Sequence, residues 1–216
     1  MKKILVSLFS VLFICLLVTP AYSQTFKELV TKYRELQKEK DYEEAVEILD
    51  LMLKKYPNTE PEVTYFNRGN TYRHLQEFKK AIKDYNKAIE IKPDYSEAFN
   101  NRANSYFDLE EFDKAISDYT SLIKLIPDNY YAYFNRANAN SQLFKYDSAV
   151  ADYTKAIELK PDFANAYYNR GNKYYGMSMY KEAIEDWKKV IKLDPAYESA
   201  LQSKIDEAKI LIEKKK

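Results

Sequence analysis

The chain has 216 residues, which is enough for one ordinary domain or one short array of repeats. It has only three glycines and seven prolines, which argues against a β-sandwich or barrel, because those folds need turn-forming residues every few positions. Its 34 basic and 33 acidic residues nearly balance, so no net field indicates a nucleic-acid partner.

The first predicted element is a secretory signal peptide over residues 1–23. Two lysines precede an almost wholly apolar run at 4–18, and residues 20–23 supply the small side chains that signal peptidase recognises. The apolar run is shorter than the about 20 residues of a membrane-spanning helix, which makes a retained membrane anchor the less favoured alternative. We expect Gln24 to be the first mature residue and the mature protein to be periplasmic or secreted.

Cleavage would also change the composition of the chain. It removes two lysines, leaving 32 basic and 33 acidic residues, and it removes Cys15, the only cysteine. The mature chain would then have no disulfide, although exported proteins reach compartments where disulfides form. Lipid modification of Cys15 is the alternative, and the bulky residues before it disfavour that alternative.

A 34-residue period organises the rest of the chain. It is marked by prolines of which the last four are 34 residues apart and the first two 36 apart: Pro57, Pro93, Pro127, Pro161 and Pro195. A fixed period of this size is typical of a solenoid of supersecondary units. The units occupy 26–59, 62–95, 96–129, 130–163 and 164–197, with Glu60 and Pro61 as an extra pair.

Each unit is predicted to contain two helices. In the second unit, apolar and small residues recur at steps of three and four on both sides of a break at Gln76 and Glu77. Gly69 and Ala81 fall where the two helices should approach each other. The proline ends the second helix. The aspartates that follow are expected to cap the next helix: Asp94, Asp128 and Asp162.

This pattern resembles the tetratricopeptide repeat family. The matching residues of the second unit are Tyr65, Gly69, Tyr72, Phe78, Ala81, Tyr85, Ala88 and Pro93. The next three units carry equivalent sets, with Asn140 in place of one aromatic residue, whereas the first unit diverges at Tyr33 and Leu49. The resemblance implies an all-α, right-handed α-solenoid of five helix-turn-helix repeats whose first helices line the concave side. Residues 198–216 are predicted to form a C-terminal capping helix.

Asparagines recur on one face of the first helix in the last four units. The eight residues are Asn67, Asn70, Asn101, Asn104, Asn135, Asn138, Asn169 and Asn172. By the resemblance, this face looks into the groove. An amide offers donors and an acceptor that can pair with the backbone of an extended peptide, so these are candidate peptide-binding residues. The alternative is that the amides cap neighbouring helices or are solvated.

A second recurrent set pairs each arginine with an aspartate 16 residues later. The pairs are Arg68 with Asp84, Arg102 with Asp118, Arg136 with Asp152, and Arg170 with Asp186. The first unit has Lys32 and Ile48 there, so both members are lost together. This joint presence and absence favours a structural ion pair, within a unit or with the adjacent one, over ligand binding.

Aromatic residues are concentrated beside the asparagines. They are Phe66, Tyr131, Phe134, Tyr168 and Tyr175. We take Tyr131, Phe134 and Tyr168 as further candidate groove residues, since exposed aromatics hold apolar side chains of a ligand. Packing between repeats is the alternative.

The sequence offers few residues that could support catalysis. His74 is the only histidine, no cysteine remains for a nucleophile or a zinc site, and no two glycines have phosphate-loop spacing. We therefore expect no enzyme activity, no cofactor and no metal.

The functional hypothesis is an exported scaffold or adaptor that binds a segment of a partner protein and aids assembly of an envelope complex. An RNA-binding helical repeat is the alternative, and balanced charge disfavours it. Homo-oligomerisation stays open.

Overall fold

A computed structural model describes residues 25–214. Within that range all regular elements are helical. The helices are α1 (Phe26–Glu39), α2 (Tyr42–Lys55), α3 (Pro61–His74), α4 (Phe78–Ile91), α5 (Ser96–Asp108), α6 (Phe112–Leu125), α7 (Tyr130–Gln142), α8 (Tyr146–Leu159), α9 (Ala164–Gly176), α10 (Tyr180–Leu193) and α11 (Glu198–Glu213), with a 3-10 turn at Pro195–Tyr197. The predicted signal peptide and Cys15 lie outside the described residues.

The helices follow one another as five hairpins closed by α11. Each helix packs against the next one along the chain, as expected of a solenoid in which a repeat contacts only its neighbours. The expected all-α, right-handed solenoid of five helix pairs with a C-terminal capping helix is confirmed. No helix in the described range is both long enough and apolar enough to cross a membrane.

Three of the described α-helix starts have side-chain caps, but the expected aspartate caps are wrong. Thr25 forms a capping box with Glu28, and Asp41 accepts a hydrogen bond from the backbone N–H of Glu44. By contrast, Asp94, Asp128 and Asp162 each lie one residue before the N-cap position.

The reason is the turn that joins one repeat to the next. In that turn the N–H of Tyr95 bonds to the carbonyl of Lys92, and the N–H of Phe163 bonds to the carbonyl of Lys160. Proline and aspartate are the two central residues of these four-residue turns, a position that suits both of them. The N-cap position itself falls to Tyr95, Asn129 and Phe163, and the Asn129 side chain accepts a hydrogen bond from the next helix.

Small residues on the first helix of a pair allow a large ring on the second to approach closely. Gly69 faces Tyr85, and a Cβ added to Gly69 would lie 2.7 Å from Tyr85 Cε1. Gly171 faces the larger ring of Trp187, and a Cβ there would lie 2.9 Å from both Cδ1 and Nε1 of that ring. The rings are almost completely buried, so they form the centre of each repeat's core.

The structure brings together every arginine–aspartate pair named from the sequence. In each of the last four repeats the guanidinium group makes two parallel hydrogen bonds to the aspartate, with N–O distances of 2.7–2.9 Å. Such bidentate pairs are shorter and stronger than neutral hydrogen bonds. The four aspartates are buried, at 4–8% exposure, so the pairs lie largely out of water.

The third nitrogen of each arginine extends the contact to the preceding repeat. Nη1 of Arg102 donates to Asn86 at 2.7 Å, Nη1 of Arg136 to Thr120 at 3.0 Å and Nη1 of Arg170 to Thr154 at 2.8 Å. Nη1 of Arg68 donates to Asp50. Each arginine therefore joins three helices, and we call this arrangement the arginine clamp. The sequence left open whether each arginine would contact its own repeat or the adjacent one, and the structure shows both kinds of contact.

Hydrogen bonding and burial act in opposite directions on the pKa values of the clamp. The hydrogen bonds with Asp84 raise the pKa of Arg68 above its usual value. Burial raises the pKa of Asp186, and the hydrogen bond and charge of Arg170 oppose that rise. Taking a carboxylate out of water is costly, so a buried aspartate without its arginine would be strongly unfavourable.

The capping helix covers the last repeat with apolar side chains. Leu201, Ile205 and Ala208 are buried against α10. Two polar contacts join α11 to α9: Lys204 Nζ donates to Asn172 Oδ1 at 3.2 Å, and Tyr175 donates its hydroxyl to Glu207 at 2.8 Å.

We predict that Gly171→Val destabilises the protein by about 2–3 kcal/mol, because its side chain must displace a ring that has no free space around it. The matched control is Gly176→Val, since a Cβ at Gly176 would meet no atom within 4 Å. That change should alter the free energy of unfolding by less than about 0.5 kcal/mol. Urea unfolding of both variants measures the difference, and equal effects would contradict the packing argument.

A second prediction concerns the clamp of the third repeat. Arg102→Ala and Asp118→Ala should each lower the free energy of unfolding by about 2–4 kcal/mol, and a double-mutant cycle should give a coupling of about 1–3 kcal/mol. The control cycle uses Lys114 and Glu111, a pair whose side chains are 62% and 36% exposed. Its coupling should stay below about 0.5 kcal/mol. Additive losses at Arg102 and Asp118 would exclude the pairing.

Candidate functional site

The first helices of the second to fifth repeats form most of one wall with four cavities along it, and residues of α1, α6, α8 and the turn after α6 complete the lining. Their volumes are about 550, 360, 260 and 160 Å³. Seven of the eight candidate asparagines line these cavities: Asn70, Asn101, Asn104, Asn135, Asn138, Asn169 and Asn172. Asn67 is half-buried and lines none of the four. We call this wall the groove.

The second asparagine of a repeat is hydrogen-bonded to the core. The hydroxyl of Tyr85 donates to Asn70 Oδ1 at 2.8 Å, and Tyr119 donates to Asn104 Oδ1 at 2.6 Å. In the fourth repeat, Tyr153 donates to Asn138 Oδ1, also at 2.6 Å. Burial raises the pKa of all three tyrosines, so they stay protonated and keep donating at neutral pH. These amides therefore have a structural role.

The first asparagines divide into two kinds. Asn101 Nδ2 donates to Asn70 Oδ1 of the preceding repeat at 2.8 Å, and Asn169 Nδ2 donates to Asn138 Oδ1 at 3.0 Å. Asn135 lines two of the cavities and makes no side-chain hydrogen bond within residues 25–214. Its amide thus retains its full capacity to bind a ligand.

The fifth repeat departs from this scheme because Trp187 replaces the tyrosine. An indole has one donor and no acceptor. Its Nε1 is buried and has no hydrogen-bond partner in the described part of the chain. Asn172 instead accepts a hydrogen bond from Lys204 of the capping helix. The groove therefore has a different polar contact at its C-terminal end.

The three candidate aromatic residues lie in different environments. Tyr131 is 52% exposed and lines the largest cavity. Phe134 is half-buried, with its ring centre 4.8 Å from that of Phe163. Tyr168 is half-buried and lies 5.8 Å from Tyr197. Tyr131 is thus the aromatic candidate with the most surface available to a ligand.

Several groove residues were not among those named from the sequence. Arg73, Glu97, Asn100 and Lys173 all line cavities. Arg73 and Lys173 follow the asparagines by three residues and one residue, so the helical phase could have identified Arg73 but not Lys173. Asn140, which replaces an aromatic residue, is buried and donates to Asp152 Oδ2 at 3.4 Å.

Charged groups are unevenly distributed along the groove. Glu97 is the one charged residue that lines the largest cavity. Arg73 lines two of the others, one of them together with its ion-pair partner Asp108, and Lys173 lines a third. The exposed His74 stacks on Tyr42 with ring centres 4.6 Å apart. Among residues 25–214, no cluster of histidine, cysteine, aspartate or glutamate has the arrangement needed to hold a metal ion.

Solved structures of similar fold share the solenoid. A tetratricopeptide repeat protein from Parabacteroides merdae has a TM-score of 0.77 at 23% identity, with 89% of this chain and 75% of that one aligned. MamA from Desulfovibrio magneticus has a TM-score of 0.73 at 17% identity, over 79% of this chain and 95% of that one. YrrB, described as a TPR protein with an unusual peptide-binding site, has a TM-score of 0.70 at 21% identity, over 82% and 90%. These similarities concern the fold.

Family models identify the repeats directly. Models described as tetratricopeptide repeat match residues 63–95, 96–129 and 164–197, and a further one matches 33–59. A model described as TPR repeat matches 145–178, from the second helix of the fourth repeat into the first helix of the fifth. No curated protein sequence matches the chain. The chain belongs to the tetratricopeptide repeat family.

Proposed function

We propose that the protein is an exported, non-enzymatic scaffold that binds an extended segment of a partner protein along the groove. The observation that carries this proposal is the row of asparagine amides along four successive cavities. An extended peptide exposes its backbone N–H and C=O groups, and an amide side chain can donate to one and accept from the other. Such contacts give affinity without regard to the ligand's side chains, and the cavities would supply selectivity.

Hydrogen bonding within the wall supports a groove that is ordered before the ligand arrives. Because Tyr119 holds Asn104 in place, the amide loses little conformational freedom on binding. Preorganisation of this kind improves affinity by lowering the entropic cost of association. The description of YrrB as a protein with a peptide-binding site gives the proposal a precedent within the same fold.

Export is the second part of the proposal. The positive start, the apolar run and the small residues before Gln24 support a cleaved signal peptide and a periplasmic or secreted location. An exported scaffold with a partner-binding groove is suited to assisting the assembly of an envelope complex.

We predict that Asn101→Ala combined with Asn135→Ala weakens capture of the partner from an envelope fraction by about tenfold, because each lost hydrogen bond is worth about 0.5–1.5 kcal/mol. Quantitative affinity purification against the wild type measures the loss. Asn135 makes no side-chain hydrogen bond within residues 25–214, whereas Asn101 bonds to Asn70 and to the Tyr85 hydroxyl. Urea unfolding of the double variant is therefore measured together with its capture of the partner.

Two control variants separate binding from folding. Asn58→Ala alters an exposed loop and should keep full capture. Asn104→Ala removes the acceptor of Tyr119 and should lower the free energy of unfolding by about 1–3 kcal/mol. Undiminished capture of every specific partner by the double variant would refute the amide row as the binding site.

Signal-peptide cleavage is tested by the mass of the exported protein. Expressed with its own N-terminus in a Gram-negative host, the chain should be recovered from the periplasm beginning at Gln24. Intact-mass spectrometry and N-terminal peptide mapping measure this start. A membrane-bound product that still begins at Met1 would indicate a retained anchor instead.

A further inference from the structure

Three of the last four repeats have a pair of contacting aromatic rings beside the groove. One ring comes from the fifth position of the repeat and the other from its last position. The pairs are Phe66 with Tyr95, Phe134 with Phe163, and Tyr168 with Tyr197, with ring centres 4.9, 4.8 and 5.8 Å apart. We call them the junction pairs, because each lies where one repeat passes to the next.

The third repeat has no junction pair. Its two positions hold Asn100 and Asn129. Asn129 Oδ1 accepts a hydrogen bond from the N–H of Ala132 and so caps α7, while Asn100 Nδ2 donates to Asn101 Oδ1 at 3.0 Å. Both side chains are thus engaged locally. The largest cavity of the groove, about 550 Å³, lies where the two rings are missing.

Two positions beside this cavity are more apolar than their equivalents in the second and fourth repeats. Lys92 and Lys160 place their ammonium groups 4.7 and 5.7 Å from the rings of Tyr95 and Phe163. The equivalent residue of the third repeat is Ile126, which is 36% exposed and lines the cavity. Leu122 also lines it, at a position where the second and fourth repeats have alanine. Leucine fills part of the missing volume, and the cavity persists.

The rim of the cavity has one exposed ring and one carboxylate. The 52% exposed Tyr131 lies on one side, and Phe66 contributes its ring from the preceding repeat. Glu97 is exposed and accepts a hydrogen bond from Ser96 at 2.9 Å. No lysine or arginine of residues 25–214 forms an ion pair with it. A carboxylate without a cation, close to the apolar side chains of Phe66 and Ile126, is complementary to a basic residue beside an apolar one.

We infer that this cavity is a specificity pocket for one aromatic side chain of the bound segment, with a lysine or arginine next to that residue in the ligand. The inference rests on the proposed function. The ligand's ring would take the place of the missing junction pair, against Phe66, Leu122 and Ile126. Its basic neighbour would pair with Glu97.

The dimensions and chemistry of the cavity suit this occupant. Its volume lies within the range of about 300–1,000 Å³ that is usual for ligand sites. An aromatic side chain buries about 150–250 Å² and dominates the energetics of an interface. Asn101 and Asn135 lie at the same cavity, so the backbone beside the buried ring would meet amide groups.

The test fills the pocket with the residue types found at the equivalent positions of the other repeats. The Asn100→Phe/Asn129→Tyr variant restores a junction pair, and Ile126→Lys, as a second variant, restores the lysine of the neighbouring repeats. Circular dichroism and thermal unfolding check that both fold. Phe163→Tyr is the matched control, because the equivalent positions of two other repeats already hold tyrosine. A phage-displayed library of random 12-residue peptides is the probe, selected in parallel on the wild type and on each variant.

We expect the wild type and the Phe163→Tyr control to select peptides with an aromatic residue at one fixed position and a lysine or arginine beside it. Synthetic peptides of that kind should bind the filled variant, or the Ile126→Lys variant if the first does not fold, about tenfold or more weakly than the wild type. Glu97→Gln should remove the preference for the basic neighbour and keep the preference for the ring.

Three results would overturn the inference. Selected peptides without an aromatic preference, or with one that survives filling of the pocket, would exclude the pocket while leaving the groove as a peptide site. No enrichment of any peptide on the wild type would overturn the proposed function as well. Phe144 is 77% exposed and precedes Lys145, so a second copy of the chain could itself supply an aromatic residue beside a basic one. If the wild type self-associates, and both the filled variant and Phe144→Ala lose that self-association, the occupant is a second copy and not a segment of another protein.

Discussion

A buried tyrosine hydroxyl must find an acceptor, and this requirement links the core of the protein to its groove. The rings of Tyr85, Tyr119 and Tyr153 are almost fully buried, yet each hydroxyl reaches the asparagine on the neighbouring helix. The asparagine serves both sides, because its oxygen satisfies the core while its nitrogen remains at the groove. The ring packs on a glycine in the second repeat, at Gly69, and on an alanine in the third, at Ala103.

This dual role explains why the second asparagine of a repeat accepts a tyrosine hydroxyl wherever the tyrosine is present, and has a different partner where the tyrosine is absent. In the fifth repeat Trp187 supplies no hydroxyl, and Lys204 takes over the contact with Asn172. A charged ammonium group then lies at the end of the row. The second to fourth repeats of the groove therefore share the same tyrosine–asparagine hydrogen bond, although the third repeat lacks a junction pair. The C-terminal end of the groove differs, because a lysine contacts its last asparagine.

Much of this could be predicted from the sequence because the period aligns equivalent positions. The joint loss of arginine and aspartate from the first repeat indicated the arginine–aspartate ion pairs, and the small residues indicated the close helix contacts. The helical phase placed the asparagines on one face of the first helix, and the family resemblance implied that this face looks into the groove. Neither could show whether Asn70 would bond a hydroxyl, because that depends on the reach of Tyr85. The cap predicted at Asp94 was wrong, because a turn closed by Tyr95 and Lys92 uses that residue. The cavity beside Asn100 depends on two positions 29 residues apart meeting in space.

The arginine clamp also has a direction, which bears on how the molecule comes apart. Each guanidinium reaches back to the repeat before it, so every repeat from the second onward is tied to its N-terminal neighbour. The described residues of α11 contain no arginine, and this helix is attached by apolar packing and the contacts of Lys204 and Glu207. In a chain whose stability is a sum of nearest-neighbour terms, the weakest link opens first. We expect loss of order to begin at the C-terminal end, with α11 exchanging its amide hydrogens sooner than the clamped repeats.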